Sequence, residues 1–435
     1  MRAPTVYAVD FGTSNSLLAA ANADEVFAPA PLEPGSDDAI ILRSVLYFPS
    51  ADQVFYGHEA ITRYAENGLE GRLLRSIKKH LPSRSFHGTY IDDRPMTLED
   101  LVAAILREMR LRANAHYGVD VRRGVFGRPA RFSEDDGDDR LAENRLRLAA
   151  ERAGYEEIAF VPEPVAAARE FGAGLGEPRA VLVGDFGGGT SDFTVMRFGA
   201  RAFTGDDVLA IGGVPLAGDA FDASIMRSKV ARHFGSEVIY KVPFGANVLR
   251  MPLSIVEQLC SPANLSILRR QDVAEFLRNV RSWSVGPDDK EKLDQLRVLV
   301  DDAQGFSLFE VIERCKRALS TGASADVDFS YADAIDVHEP VTRAEFDAGA
   351  ERETRAILRC LDDTVARSGL APAEIDLVCC TGGTAKVPVI AAALRERFGD
   401  ARVSDFKSFT SVVEGLAIYA RGLARDGVVP RFEVS

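Results

Sequence analysis

Two short stretches of this chain combine glycines, hydroxyl side chains and acidic side chains in an order suited to binding a phosphate. One is Val183-Gly-Asp-Phe-Gly-Gly-Gly-Thr-Ser-Asp192, and the other is Val6-Tyr-Ala-Val-Asp-Phe-Gly-Thr-Ser-Asn15. Glycines reach the positive φ angles that let backbone N–H groups converge on an anion. The matched acids Asp10 and Asp185 could serve a metal ion. Three glycines alone are typical of an ordinary turn, but the repetition favours two similar half-domains that face one ligand.

Two other phosphate-binding chemistries are excluded by missing residues. The chain contains no Gly-Lys pair, so neither glycine stretch is a Walker phosphate loop. The Asp-Phe-Gly at Asp185 is also not the magnesium-binding loop of a protein kinase, because no His-Arg-Asp catalytic loop and no Val-Ala-Ile-Lys strand are present.

The paired stretches resemble the phosphate loops of the actin-like ATPase superfamily, which includes sugar kinases, actins and the seventy-kilodalton heat-shock (DnaK-like) chaperones. Order and spacing agree with the heat-shock branch over essentially the whole chain, and the closest resemblance is to short bacterial YegD-like members, which lack the peptide-binding half. Four further stretches resemble that branch in its catalytic lysine, its connecting segment, its adenosine helix and its adenosine loop: Ser76-Ile-Lys78, Glu163-Pro-Val-Ala-Ala-Ala168, Glu313-Arg-Cys-Lys-Arg-Ala-Leu-Ser320 and Thr381-Gly-Gly-Thr-Ala-Lys-Val-Pro388.

This resemblance implies an α/β protein with the actin-like ATPase (ribonuclease H-like) fold. Two lobes, each with a mixed five-stranded sheet flanked by helices, would hold a nucleotide in the cleft between them. Lobe I would comprise residues 1–174, with 402–435 returning to it and a small subdomain at about 39–112. Lobe II would comprise residues 175–401, with a small helical subdomain at about 221–322. No C-terminal peptide-binding domain is expected.

The resemblance also implies roles for individual residues. Lys78, Glu163, Asp185 and Thr190 would be catalytic, and Asp10 and Asp185 would hold Mg²⁺ through water. For Lys78, the alternative is one half of a solvated basic pair with Lys79. The residues implied to bind ATP or ADP are Gly12, Thr13, Ser14, Asn15, Gly187, Gly188, Gly189, Thr190, Gly212, Gly213, Glu313, Lys316, Arg317, Ser320, Gly382, Gly383, Thr384 and Lys386.

The sequence departs from the family pattern at two places. Residues 214–217 intervene between Gly213 and the acidic Gly218-Asp-Ala-Phe-Asp222, and Val413 stands where the family has an aspartate before Glu414. Both departures bear on how the nucleoside is held.

The implied activity is slow, Mg²⁺-dependent hydrolysis of ATP to ADP and phosphate by a chaperone-like protein. Lobe closure on ATP and relaxation on ADP would signal to a co-chaperone or client protein. Three alternatives stay open: a sugar or polyol kinase of the same superfold, an actin-like filament protein, and a nucleotide-binding module without hydrolysis.

Composition limits the other partners. The 435 residues include 52 Lys and Arg against 65 Asp and Glu, which gives a net charge of −13. That balance argues against a general surface for nucleic acid or anionic membranes. The five cysteines show no CxxC spacing, and no apolar run approaches the roughly 18 residues of a membrane helix. We therefore expect a cytoplasmic protein with reduced thiols, and a monomer.

The elements that must position these residues can be read from periodicity and capping signals. Thr97 to Tyr117 predicts an amphipathic helix with a capping box formed by Thr97 and Asp100. A second capping box at Thr342 predicts a long helix to about Ser368, and Ser411 to Ala424 predicts the last helix. The segment from Leu69 to Arg75, just before Lys78, is expected to be helical.

Overall fold

The computed structural model divides the chain into two compact units. The first comprises Met1–Pro215, Ile357–Lys386 and Ile390–Ser435, and the second comprises Leu216–Ala356 with Val387–Val389. The lobe boundary expected near residue 174 remains a prediction. The structure describes residues 3–36, 38–68, 70–133, 135–171, 177–199, 205–243, 245, 247–261, 264–302, 304–404 and 410–427.

Short strands and helices are interspersed along the described part of the chain, with four successive α-helices between residues 253 and 319. Up to Pro215 the elements are β1 (Val6–Phe11), β2 (Asn15–Ala21), β3 (Val26–Phe27), β4 (Leu42–Arg43), β5 (Val45–Ser50), β6 (Gln53–Tyr56), α1 (Gly57–Glu66), β7 (Arg72–Arg75), β8 (Gly88–Ile91), β9 (Arg94–Thr97), α2 (Leu98–Tyr117), β10 (Arg123–Arg128), α3 (Asp136–Arg152), β11 (Glu157–Pro162), α4 (Glu163–Phe171), β12 (Arg179–Phe186), β13 (Ser191–Phe198) and β14 (Val208–Val214). The later elements are α5 (Gly218–Ile225), β15 (Ile239–Lys241), β16 (Val248–Arg250), α6 (Leu253–Leu259), α7 (Gln271–Trp283), α8 (Asp289–Asp301), α9 (Gly305–Leu319), β17 (Ser324–Tyr331), β18 (Ile335–Thr342), α10 (Arg343–Gly349), α11 (Glu351–Arg367), β19 (Leu377–Thr381), α12 (Pro388–Phe398) and α13 (Ser411–Asp426).

The first unit contains two sheets with related hairpins. One sheet has the order β11-β10-β1-β2-β3, with β4 paired to β2. The other has the order β14-β13-β12-β19, and a single parallel bridge joins Val378 to Val403 beside it. Each sheet contains an antiparallel hairpin, β1–β2 in one and β12–β13 in the other. The first strand of each hairpin also pairs with a parallel strand: β1 with β10, and β12 with β19.

Strand β1 is buried on both faces. Tyr7 and Val9 belong to a core shared with α2 and α3, whereas Val6 and Ala8 belong to a core shared with α4 and α13. A strand covered by helices on both faces has a continuous apolar sequence rather than an alternating one. This explains why the run before Asp10 is apolar without interruption.

The helix capping signals are confirmed. The Thr97 side chain accepts a hydrogen bond from the Asp100 N–H, and the Asp100 carboxylate accepts one from the Thr97 N–H. The same reciprocal pair forms between Thr342 and Glu345. The helix expected beyond Thr342 is divided into α10 and α11, which are separated at Ala350.

The expected helix before Lys78 is wrong, because the segment contains strand β7. Its residues pair with β5 through Leu74 opposite Leu46 and Leu73 opposite Tyr47. Gly68 and Gly71 adopt φ angles of 63° and 88°, which a right-handed helix does not contain. Tertiary pairing therefore overrides the helical propensity of these leucines and arginines.

None of the helices in the described part of the chain is both long and apolar enough to cross a lipid bilayer.

Candidate functional site

The first glycine turn lies between β1 and β2. Asp10 stands opposite Leu17 in the hairpin, one residue before the strand ends. A side chain at Gly12 would collide with the Asn15 carbonyl oxygen, so the turn over Thr13 and Ser14 requires glycine at this position. Such a tight turn leaves backbone amides available for an anionic ligand.

The second glycine turn lies between β12 and β13 and is tied to a neighbouring strand. Asp185 pairs with Asp192 across the hairpin, and the Gly187 N–H donates to the Thr190 carbonyl at 2.9 Å. The Thr190 hydroxyl donates to Asp192 Oδ2 at 2.9 Å. The Thr381 hydroxyl at the end of β19 donates to Asp185 Oδ1 at 2.8 Å. Both carboxylates therefore have fixed orientations.

Lys78 lies in a short 3-10 turn, Ile77–His80, which follows a residue in a rare backbone conformation. Ser76 has a φ of 54°, in the left-handed region that non-glycine residues seldom adopt. The Lys78 ammonium contacts Glu163 Oε1 at 2.7 Å, and the two side chains are only 11% and 13% exposed. Lys79 is exposed instead. The geometry therefore favours Lys78 over Lys79 as the functional lysine.

Glu163 begins α4 directly after β11, as its Pro-Glu-Pro sequence predicts. Strand β10 passes close to it, because a Cβ atom added at Gly127 would lie 3.1 Å from Glu163 Cγ. A bulkier residue at Gly127 would displace the carboxylate from Lys78.

The site contains more acidic side chains than basic ones, and this raises the pKa values of its carboxyl groups. Burial, followed by the charge of Glu163, raises the pKa of Asp10 to about 8, although Lys78 opposes the shift. Partial desolvation by the surrounding residues, followed by the charge of Asp185, raises the pKa of Asp192 to about 7, although the residue is exposed at the surface. Burial and Glu163 also raise the pKa of Asp185, against the hydrogen bond from Thr381. One lysine thus does not neutralise the surrounding acids.

The neighbouring acidic groups disfavour one another's charged forms, but they favour the charged form of Lys78. Burial by itself would lower the pKa of this ammonium, but Glu163, Asp10 and Asp185 together outweigh burial, so the pKa is raised. Lys78 is therefore a permanent cation at neutral pH.

The oxygen donors present fit a hard divalent cation that is held through water. Within the described ranges, no three His, Cys, Asp or Glu side chains are arranged to hold a metal directly. Mg²⁺ prefers oxygen ligands and retains several of its own water molecules. Carboxylates with raised pKa values, such as Asp10 and Asp192, would become ionised beside such a cation.

A small cavity adjoins these groups. It has a volume of about 40 Å³, and its wall includes Glu163, Asp185, Asp192, Thr381 and Arg131. A volume of this size is sufficient for an ordered water molecule with several polar neighbours. The cavity therefore offers a place for a water molecule next to the acids.

The resemblance implies further nucleotide-binding residues in the first unit, and these lie in turns and on strand β14. Gly212 and Gly213 lie on β14, where Gly213 faces Asp192 and a Cβ added to it would lie 2.6 Å from Asp192 Oδ1. Gly382 has a φ of 85° and approaches the Phe186 carbonyl so closely that a side chain would collide with it. The Thr384 hydroxyl donates to the Gly187 carbonyl at 3.3 Å, which connects this turn to the second glycine turn.

Four more residues that the resemblance implies for nucleotide binding lie on the same two turns. Gly188 and Gly189 complete the second turn, and Gly383 begins a 3-10 turn that ends at the exposed Lys386.

The four residues implied to contact adenosine lie on or directly after α9 in the second unit. Glu313 and Arg317 form an ion pair of 2.7 Å along the helix, and the Ser320 hydroxyl donates to the Lys316 carbonyl at 3.4 Å. The Lys316 ammonium contacts Asp222 Oδ2 at 2.8 Å. Glu313, Lys316 and Ser320 are three and four residues apart, so they lie on one face of the helix.

Asp192 and Thr381 lie within the motif stretches, but the resemblance implied no individual catalytic or binding role for either. Both could have been found from register, because Asp192 is the cross-strand partner of Asp185 and Thr381 is its parallel neighbour on β19. Val413, the departure from the family aspartate, is fully buried in the core with α4.

Comparison with known proteins is consistent with this geometry. A family model described as Hsp70 protein matches residues 76–241 and 290–429, which is more than two thirds of the chain. The protein named Chaperone protein DnaK of Thermosipho africanus (strain TCF52B) is 23% identical over 427 residues, covering 97% of this chain and 59% of that protein. The protein of the same name from Thermotoga neapolitana is 24% identical over 426 residues, covering 96% of this chain and 59% of that protein.

The chain thus spans about three fifths of the length of the curated relatives that it matches. The two related hairpin sheets with flanking helices form the actin-like ATPase fold expected from the sequence. Two five-stranded sheets were expected. The first sheet has five strands in order and β4 as an additional strand, and the second has four strands with one isolated bridge beside them. From the extent of the family match, the chain belongs to the Hsp70 family.

Proposed function

We propose that this chain binds ATP and ADP together with Mg²⁺ and slowly hydrolyses ATP as a chaperone-type ATPase. The observation that carries the proposal is the buried Lys78–Glu163 ion pair, which lies among Asp10 and Asp185 from the two glycine hairpins. This arrangement supplies one fixed cation and several carboxylates beside two anion-binding turns. The curated relatives are named chaperones, which supports the same class of activity.

The chemistry assigned to the residues follows from the demands of phosphoryl transfer, which needs positioning and charge neutralisation more than covalent catalysis. The amides of the turns at Gly12–Asn15 and Gly187–Thr190 would bind the phosphates. Lys78 would place a positive charge at the γ-phosphate. Bound Mg²⁺ would supply further charge neutralisation, with Asp10 and Asp185 accepting hydrogen bonds from its water ligands.

The attacking water molecule would be oriented by Glu163, Asp185 and Thr190. The Thr381 hydroxyl bond on Asp185 and the Thr190 bond on Asp192 restrict the carboxylates to one orientation each. Pre-oriented acceptors of this kind lower the cost of arranging water at the reacting phosphorus. The residues on and after α9, with Gly382 and Lys386, would bind the nucleoside.

The proposed output is a change of conformation between the ATP and ADP states that is transmitted to a co-chaperone or client protein. Couplings of about 1–3 kcal/mol are typical of such two-state elements. Slow turnover suits this role because the duration of the ATP state sets the duration of the signal.

The test is single-turnover hydrolysis of ATP by wild type, Lys78→Ala and the matched control Lys79→Ala, each with Mg²⁺ and with EDTA. We expect Mg²⁺-dependent hydrolysis in wild type and Lys79→Ala, and at least about 100-fold slower hydrolysis in Lys78→Ala, since removing a single charge-stabilising group typically costs this much. Nucleotide affinity, measured by calorimetry, should be retained in all three proteins.

Two outcomes would contradict the proposal. Tight nucleotide binding without hydrolysis by wild type would leave a nucleotide-sensing module. Equal loss of activity in both lysine variants would remove the special role of Lys78.

A further inference from the structure

A buried arginine outside the site holds the end of the turn that carries Lys78. Arg145 lies on α3 and is 8% exposed. Its Nη1 donates to the carbonyl oxygens of Ser83 at 2.9 Å, Leu81 at 3.0 Å and His80 at 3.4 Å. A buried guanidinium directed at carbonyls of one short segment restrains the backbone of that segment.

These carbonyls are connected to Lys78 by backbone hydrogen bonds. The Leu81 N–H donates to the Lys78 carbonyl at 3.1 Å and closes the 3-10 turn. The Ser83 N–H donates to the His80 carbonyl at 3.0 Å, which is one of the acceptors of Arg145. Arg145 is therefore two hydrogen bonds away from the backbone of Lys78.

The charge of Arg145 is balanced away from the phosphate site. Its Nε contacts Glu99 Oε1 at 3.2 Å, and the two side chains are 9% and 16% exposed. Glu99 lies in the first turn of α2. The guanidinium thus joins α2 and α3 to the segment after Lys78 and holds the turn from the end opposite the strained Ser76.

We propose that Arg145 is a positioning residue that fixes Lys78 in its contact with Glu163. The expected effect on hydrolysis rests on the proposed function, but the expected effect on the position of Lys78 does not. Without the guanidinium, three carbonyls lose a donor and Glu99 loses its partner. The 3-10 turn then moves, and the Lys78 ammonium no longer has one fixed position relative to the γ-phosphate.

The kinetic test compares single-turnover hydrolysis and nucleotide affinity in wild type, Arg145→Ala, Arg145→Lys and Arg147→Ala. Arg147 is the matched control, because it lies on the same helix but donates to the Ile158 carbonyl at 3.2 Å. We expect Arg145→Ala to slow hydrolysis by about 10–100-fold at unchanged affinity, since small misplacements of a catalytic group cost this much. Arg145→Lys should recover part of the rate, and Arg147→Ala should match wild type.

A double variant separates positioning from a general loss of structure. In the Lys78→Ala background, Arg145→Ala should cause no further slowing, because the group that it positions is absent. An equal fold-loss in both backgrounds would overturn the proposal, and so would equal slowing by Arg147→Ala.

Amide hydrogen exchange tests the same inference without activity. In the nucleotide-free 435-residue protein, Arg145→Ala should speed exchange at least about 10-fold at the amides of Lys79, Leu81 and Ser83. Arg147→Ala should leave these amides unchanged. Unchanged exchange in Arg145→Ala would overturn the proposal even if wild type hydrolyses ATP. Faster exchange with an inactive wild type would contradict the proposed function alone.

Discussion

At the scale of single residues, the site is governed by competition among buried charges. Lys78 and Glu163 form a close ion pair, and the carboxyl groups of Asp10, Asp185 and Asp192, whose pKa values are raised, lie near it. Burying charges is costly, and removing one partner of a buried pair leaves the other uncompensated. A cation bound beside these carboxyl groups would favour their ionised forms.

A pH-dependent stability follows from Asp192, whose pKa is about 7 in the folded protein against an ordinary value of 3.8. Between these values the folded state binds more protons than the unfolded state, so the contribution of Asp192 to stability is fully present below about pH 4. It is lost as the pH rises through 7. The unfolding free energy of Asp192→Asn should therefore rise relative to that of wild type between pH 5 and pH 8. Because Asp192 is exposed to solvent, screening limits this gain to on the order of 1 kcal/mol.

The measurement is urea unfolding of the nucleotide-free protein in EDTA at both pH values. Asp400→Asn is the control, because the side chain of Asp400 is 86% exposed. The raised pKa would be contradicted if the free energies of unfolding of wild type and Asp192→Asn differed by the same amount at pH 5 and at pH 8.

At the scale of elements, glycines decide how closely a helix can approach its neighbour. Gly415 on α13 lies against the backbone of Ala166 on α4, where an added Cβ would collide with the Ala166 carbonyl. Gly422 lies on the same helix with no atom within 4 Å of an added Cβ. Glycine disfavours the helix to the same extent at both positions, but the surroundings of the two positions differ.

Alanine substitution at these two positions should therefore have opposite effects. Gly422→Ala should stabilise the protein by about 0.5–1 kcal/mol, because alanine favours the helix. Gly415→Ala should destabilise it by about 1–3 kcal/mol, since overpacking forces the helices apart. Thermal or urea unfolding measures both changes, and equal signs would show that propensity rather than packing dominates at Gly415.

At the scale of the whole molecule, charge opposes self-association. The net charge of −13 is spread over a 47.2 kDa chain, and like charge of this size disfavours ordered polymers of one protein. We therefore expect a single species of monomer mass in sedimentation velocity with ATP and Mg²⁺ at physiological salt. Sedimenting polymer that appears with ATP and disappears with ADP would favour the actin-like filament alternative.

Much of the local structure was predictable from sequence. The two glycine hairpins, the capping boxes at Thr97 and Thr342, and the helix start at Glu163 depend on neighbours within a few residues, so residue types predict them. Strand β7 was not predictable in this way, because its pairing partner β5 is more than 20 residues away. The break between α10 and α11 at Ala350 was not predictable either, because an isolated glycine such as Gly349 is tolerated inside a helix and does not by itself mark a helix end.

The sequence by itself determined which residues carry charge and which family they resemble, and it predicted which residues would bind phosphate. Only the tertiary structure decided that Lys78 rather than Lys79 reaches Glu163, that Asp192 joins Asp185, and that Arg145 supports the lysine turn. These contacts join residues far apart in the chain. Their geometry depends on sheet register and helix packing, which local residue patterns do not specify.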